Sequence, residues 1–152
     1  MKIKILSLVG STYNFDRLTK QIDELGANSK YSIFAQIGES NYHPRNIMWK
    51  KFIDYKEMQD KIKWADIIIS HAGIGSIIDI LASGKKLILY PRLKKFNEAI
   101  DDHQIEICKA LKAKYGTDYF TDKIIIKLKV KKHKKHTNEN RLVNAIKKSL
   151  EW

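Results

Sequence analysis

Short apolar runs alternate with segments of helical periodicity along most of this chain, and that alternation limits the folds open to it. Lys2 to Val9 alternates and then turns apolar, as a buried strand does, and it stops at Gly10-Ser11-Thr12. From Phe15 to Leu25 the apolar residues Phe15, Leu18, Ile22 and Leu25 share one helical face, and Gly26 and Asn28 end it. Tyr31 to Ile37 reads as a second strand closed by Gly38, and Asn46 to Asp54 as a third. Lys56 to Trp64 follows as a polar helix anchored by Met58, Ile62 and Trp64. Ala65 to Ser70 is a buried strand, Ile74 to Ser83 a helix ended by Gly84, and Lys86 to Tyr90 a strand ended by Pro91. Asp101 to Tyr115 reads as a helix, Ile124 to Val130 as a last strand and Asn138 to Leu150 as a last helix. Strands that alternate with helices predict parallel βαβ units: an α/β, Rossmann-like open parallel sheet with helices on both faces. No repeat and no internal boundary is visible, so residues 1–152 are expected to form one domain, with a basic segment and helix over 127–152.

Composition narrows the chemistry. At 152 residues, with 43% hydrophobic and 30% charged, the chain can bury one core, and disorder is not expected. No apolar run approaches the ~20 residues of a membrane-spanning helix, and Met1 to Gly10 lacks the pattern of a signal peptide. The single cysteine, Cys108, excludes an internal disulfide and a multi-cysteine zinc site. These features point to the cytoplasm. The net charge of +12 concerns partners rather than fold. Nucleic acid, anionic lipid and phosphorylated small molecules all suit it. So does a bland cause: the abundance of Lys, Ile and Asn that AT-rich coding produces.

The strongest local motif is Ser70-His71-Ala72-Gly73-Ile74-Gly75-Ser76, which follows a buried strand and opens a helix. Glycines there allow close approach of a ligand to the backbone, and the helix start presents N–H groups to an anion, with the Ser76 hydroxyl beside them. A plain tight turn between strand and helix has the same pattern. The motif lacks the third glycine of a dinucleotide fingerprint and the Gly-Lys-Ser/Thr of a P-loop. Asp79, early in the same helix, can accept from a ribose diol or simply favour the helix N-terminus. Asp101-Asp102-His103-Gln104 starts another helix; His103 and Gln104 can point at phosphate or base from its first turn. Arg92 closes a strand, where it can meet a phosphate or be solvated. Ser11 and Thr12 lie in a loop at a strand's carboxyl end, where ligands of open α/β sheets gather, and Gln36 adds a hydrogen-bonding edge nearby.

Taken in order, these segments resemble a known family. They are Val9-Gly10-Ser11-Thr12, Phe15-Asp16-Arg17-Leu18, Gln36-Ile37-Gly38, Ala65 through Ser76, Gly84-Lys85-Lys86, Pro91-Arg92 and Asp102-His103-Gln104. The chain resembles the C-terminal, sugar-nucleotide-binding domain of glycosyltransferase family 28, strongly over residues 3–112. It is most similar to stand-alone members. These are UDP-sugar-binding catalytic subunits of two-component enzymes, such as capsule and exopolysaccharide β-1,4-galactosyltransferases and the dolichol-linked UDP-N-acetylglucosamine transferase.

The resemblance implies one half of a GT-B enzyme. The other half, a membrane-associated acceptor-binding subunit, would be a separate polypeptide, in keeping with a chain too short for a whole GT-B enzyme. The donor would be a UDP-sugar, and transfer would invert the anomeric carbon. The Gly73-to-Ser76 turn would hold the diphosphate, with Asp79 on the ribose where most relatives carry Glu. His103 and Gln104 would face the sugar or its phosphates. The implied location is the inner face of the membrane, reached through the partner.

Residue chemistry fits this expectation. Helix N-termini and positioned donors can stabilise a leaving diphosphate without a metal, and the chain has no Asp-x-Asp, so neither a metal nor a resident cofactor is expected. The acceptor hydroxyl needs a general base. His71 is the candidate catalytic residue, and a second role, donating a hydrogen bond to a phosphate, stays open beside it. The alternative function is a non-catalytic enhancer or stabilising subunit. The basic segment Lys127 to His136 suits either an anionic membrane surface or a lysine-protected strand edge. Nucleic acid is the weakest partner class, since the basic residues lack interleaved aromatics.

Overall fold

The computed structural model describes residues 1–127 together with Asn144 and Lys148. The element order is β1 (Ile3–Leu8), α1 (Asp16–Gly26), β2 (Tyr31–Gln36), β3 (Met48–Lys50), α2 (Tyr55–Trp64), β4 (Ile67–Ser70), α3 (Ile74–Ser83), β5 (Lys86–Leu89), a short 3-10 turn (Lys94–Phe96), α4 (His103–Tyr115) and β6 (Asp118–Tyr119). Among the described residues the strands form one six-stranded sheet in the order β3-β2-β1-β4-β5-β6. Every pairing is parallel, with Ile5 opposite Ile33 on one side and Ile67 on the other. The chain winds outward from β1 to β3 and then crosses back to place β4 beside β1. That reversal opens a crevice at the carboxyl ends of β1 and β4, the usual ligand position in such sheets.

Strand alternation assigns the two faces. Ile5, Ile33, Ile67, Ile69 and Ile88 point to one side, where Phe15, Leu18 and Ile22 of the α1 region cover them. Leu6, Leu8, Phe34, Ile68, Leu87 and Leu89 point to the other, against Ile62 of α2, Ile77 and Ile80 of α3, and Ile107 and Leu111 of α4. Helices therefore lie on both faces, as the alternation requires. Each fully buried aliphatic side chain contributes ~1.5–3 kcal/mol relative to an exposed one. Cys108 belongs to this core: burial pushes its thiol up to about 12, and it serves as a small apolar residue.

Local signals set the ends. Asp54 accepts from the Glu57 N–H at 2.8 Å, so α2 starts at Tyr55. Gly84 ends α3 with φ of 71°, a left-handed value that a glycine adopts without steric cost. The third strand is shorter than expected, Met48–Lys50 rather than 46–54. The connection before it is tied to α1: Asp16 accepts from Ser40 and Asn41, and Asp23 from Tyr42, Arg45 and Asn46.

Two expectations are corrected. Of the strand expected from Ile124 to Val130, residues 124–127 form none and 128–130 lie outside the described residues; among the described residues the edge strand is Asp118–Tyr119, paired with Ile88 and Leu89. The helix expected from Asp101 begins at His103, because Asp101 accepts from the His103 N–H and Asp102 from the Lys94 N–H. Of the basic segment 127–136, only Lys127 lies among the described residues, and of the expected last helix only Asn144 and Lys148, both helical. No helix among the described residues is long and apolar enough to cross a membrane.

Candidate functional site

The crevice is built from three strand ends. β1 runs into the Gly10–Asn14 loop, β4 into His71–Gly73, and β5 into Pro91–Arg92. The ladder continues past the strands: the His71 N–H donates to Leu8 O at 3.2 Å and the Tyr90 N–H to Ser70 O at 2.9 Å. The His71 ring then lies across the gap between two glycines. A β-carbon on Gly73 would stand 2.2 Å from His71 Cε1, and one on Gly10 would stand 2.8 Å from it. Real β-carbons do not come so close, so both positions must be glycine for the ring to sit there.

Gln104, in the first turn of α4, joins two of the strand ends. Its Oε1 accepts from the Ala72 N–H at 3.2 Å and from the Arg92 N–H at 2.9 Å. Its Nε2 approaches His71 Nδ1 at 3.4 Å. Arg92 is turned inward and is only 3% exposed. Its Nη1 donates to Asn14 O at 3.0 Å and Glu98 O at 3.5 Å, and its Nη2 to Tyr13 O at 2.8 Å and Gly10 O at 3.3 Å. Its guanidinium also lies 4.7 Å from the Phe15 ring centre. The open phosphate contact expected of Arg92 is thus replaced by an inward one, and Arg92 sets the path of the first loop.

Arg17 does the same for the connection after β5. It pairs with Glu98 at 2.9 Å and donates to Pro91 O and Thr121 O, while Glu98 also accepts from the Leu93 N–H. Sequence reasoning missed this pair, because Arg17 and Glu98 are 81 residues apart. Gln36 is likewise internal: it donates to Val9 O at 3.1 Å and accepts from the Ile53 N–H at 3.2 Å. It is a tie between loops and not an open edge. Ser11 and Thr12 are exposed on the first loop.

α3 begins with Gly73 as an extended N-cap that forms no side-chain cap. The N–H groups of such a first turn have no intrahelical acceptors, so they can face an anion. A β-carbon on Gly75 would meet nothing within 4 Å, so this glycine borders open space. Beside it lies a cavity of about 260 Å³ between α2 and α3. Tyr55, Met58 and Ile62 line it from α2, Gly75, Ser76 and Asp79 from α3, and Ile53 and Asp54 close one end. The structure thus brings Gly75, Ser76 and Asp79 to one mostly apolar recess, with Gly73 capping the helix just before it. The α2 wall was missed; Met58 and Ile62 showed only as helix anchors. His103 stands at the head of α4, next to Gln104.

Burial, and then the nearby positive charge of Arg92, lower the His71 pKa to about 4. The ring is neutral at neutral pH. In the unfolded chain it would take a proton near its ordinary value of 6.5. Between those values the unfolded state binds more protons, so stability is complete above 6.5 and falls as the pH drops toward 4. This group alone is expected to remove ~3 kcal/mol between pH 7 and pH 4. Urea titrations at the two pH values should show that loss, and His71→Gln should reduce it. An equal loss in the variant would place the sensitivity elsewhere.

Comparison with known proteins follows the same lines. The model of the glycosyltransferase family 28 C-terminal domain matches residues 5–151. The chain is 32% identical over 111 residues to the UDP-N-acetylglucosamine transferase subunit ALG13 of Homo sapiens, over 70% of this chain and 9% of that protein. It is 29% identical over 94 residues to the UDP-N-acetylglucosamine--N-acetylmuramyl-(pentapeptide) pyrophosphoryl-undecaprenol N-acetylglucosamine transferase of Pseudomonas entomophila, over 57% of this chain and 25% of that one. The chain therefore spans a minor part of the length of these curated relatives. Among solved structures, Acinetobacter baumannii MurG superposes with a TM-score of 0.57 at 22% identity, over 79% of this chain and 36% of MurG. The solution structure of ALG13 gives 0.53 at 20% identity, over 78% of each chain. These superpositions show a shared fold.

Proposed function

Because the chain belongs to glycosyltransferase family 28, through that family's C-terminal domain, we propose that it binds a UDP-sugar in the crevice beside α3. In this reading it is the donor-binding, catalytic part of a glycosyltransferase that transfers a hexose to a lipid-linked saccharide in cell-surface polysaccharide or glycan synthesis. N-acetylglucosamine, the sugar named in the relatives, and galactose are the candidate hexoses. One observation carries the proposal. The glycine-bordered start of α3 opens directly onto the recess that holds Ser76 and Asp79. The N–H groups of Gly73 to Ser76 would take the diphosphate and Asp79 the ribose, while Tyr55 and Met58 supply an apolar wall for the base.

The mechanism then rests on fixed donors. As the bond from the anomeric carbon to the diphosphate breaks, charge grows on the leaving oxygen. A helix start fixed at that position would need no reorganisation, so it would stabilise the transition state more than the ground state. In this reading the step would proceed without a metal. In this reading His103 and Gln104, at the head of α4, would reach the sugar, and Ser11 and Thr12 would reach it from the exposed first loop. The acceptor, and the base that removes its proton, would come with a membrane-associated second subunit. Attack from the side opposite the diphosphate inverts the anomeric carbon. The chain would work on the cytoplasmic face of the membrane, held there by that partner.

Calorimetric titration with UDP-N-acetylglucosamine and UDP-galactose tests the proposal. Saturable binding of at least one, competed by UDP, is the expected result. If neither sugar nucleotide nor UDP binds while the protein is folded, the donor-site reading fails.

A further inference from the structure

We propose that Gln104 is a positioning residue that holds His71 in one tautomer, with the ring proton on Nε2. His71 is then a fixed N–H donor in the crevice and not a base.

The argument starts from the Gln104 amide. Its Oε1 lies 3.2 Å from the Ala72 nitrogen and 2.9 Å from the Arg92 nitrogen, and both are backbone N–H donors. A flipped amide would put an NH₂ group against two N–H groups, with no acceptor among them. The orientation is therefore forced by the neighbours. It follows that the group facing His71 Nδ1, at 3.4 Å, is the amide NH₂, which can only donate. Nδ1 must then supply a lone pair. A neutral imidazole carries one proton, and with Nδ1 accepting, that proton sits on Nε2.

A second proton is opposed by burial of the ring and then by the Arg92 guanidinium, the charged group facing it from the end of β5. The Nε2 edge occupies the gap between the first loop and the start of α3. β-carbons on Gly10 and Gly73 would lie 2.9 Å and 2.8 Å from that atom. A donor placed there adds to the N–H groups of α3. Neither ring nitrogen is left to take a proton from an acceptor hydroxyl.

The usefulness of that donor rests on the UDP-sugar reading; the tautomer does not. Two-bond ¹H–¹⁵N correlation spectra of the full, labelled chain at neutral pH, without nucleotide, read the ring directly. The expected result is a protonated Nε2 and an unprotonated Nδ1 at His71. A protonated Nδ1 in the parent protein overturns the proposal, and this observation needs no variant. Gln104→Glu supplies the converse. Its carboxylate still accepts from Ala72 and Arg92 but can only accept from Nδ1. It should move the ring proton to Nδ1 and raise the pH of ring protonation by roughly one unit or more. A ring that stays protonated on Nε2 alone in that variant would show that Gln104 does not set the tautomer. Failure of UDP to bind would leave these spectra unchanged, so the two readings fail separately.

Discussion

Valine at position 75 is expected to weaken UDP binding by at least ~30-fold, about 2 kcal/mol, while the protein keeps its stability. The two halves of that expectation have separate causes. Gly75 lies in the first turn of α3 and is not among the glycines with positive φ, so its backbone suits any residue. A β-carbon there meets no atom within 4 Å. Exchanging glycine for valine inside a helix gains a few tenths of a kcal/mol in propensity. The folded chain should therefore melt within a few degrees of the parent. The added side chain would stand beside Ser76, in the space the account gives to the diphosphate. Gly73→Val is the contrasting case: its β-carbon falls 2.2 Å from the His71 ring, so it should lose binding and stability together. Calorimetry and thermal melts separate the two. UDP affinity unchanged by Gly75→Val would mean that the ligand lies elsewhere.

Arg92→Leu should be the most damaging change to stability, at ~3 kcal/mol or more. Removing the guanidinium takes this donor from the carbonyls of Gly10, Tyr13 and Asn14, which are partly buried, and of Glu98, which is buried. Apolar replacement of a buried charge can be neutral where the partner is removed too, but here the carbonyls remain. For a chain of this size the loss is ~6–12 °C in melting temperature. Arg92→Lys should recover only part of it, since one ammonium cannot reach carbonyls on both sides of the first loop. UDP affinity should fall in both variants through displacement of Gly10 and His71. An Arg92→Leu protein that melts with the parent would contradict this account of the loop.

The fold was largely legible because its determinants are local. The periodicity of Phe15, Leu18 and Ile22 and the Ile67-Ile68-Ile69 run mark α1 and β4 without help from the rest of the chain. The misplacements are tertiary. Asp118–Tyr119 is too short to signal a strand and exists because Ile88 and Leu89 offer it an edge. Residues 124–127 alternate like a strand, yet Ile124 packs into the α1 side of the core and Lys127 O accepts from Lys86 Nζ.

In the site, the glycine turn was readable, because close approach of backbone demands glycine wherever it occurs. The inward role of Arg92 was not. An arginine after a strand looks the same whether it meets a phosphate or carbonyls 78 to 82 residues away. Gln36 and Gln104 belong to the same class. Their amides tie segments that only the folded sheet brings together, and nothing adjacent in sequence announces those partners. The α2 wall of the cavity depends on how α2 packs on α3, which no spacing rule supplies.

The claim that the recess at the start of α3 binds a UDP-sugar is tested most directly by amide chemical-shift mapping during a UDP titration of the intact chain. A UDP-sugar held there should give saturable shifts at Gly73, Ile74, Gly75, Ser76 and Asp79, with smaller ones at Tyr55 and Met58, and none along the amino ends of the strands near Ile3, Tyr31 and Lys86. Shifts confined to that amino edge, or no saturable shift at all, would contradict it.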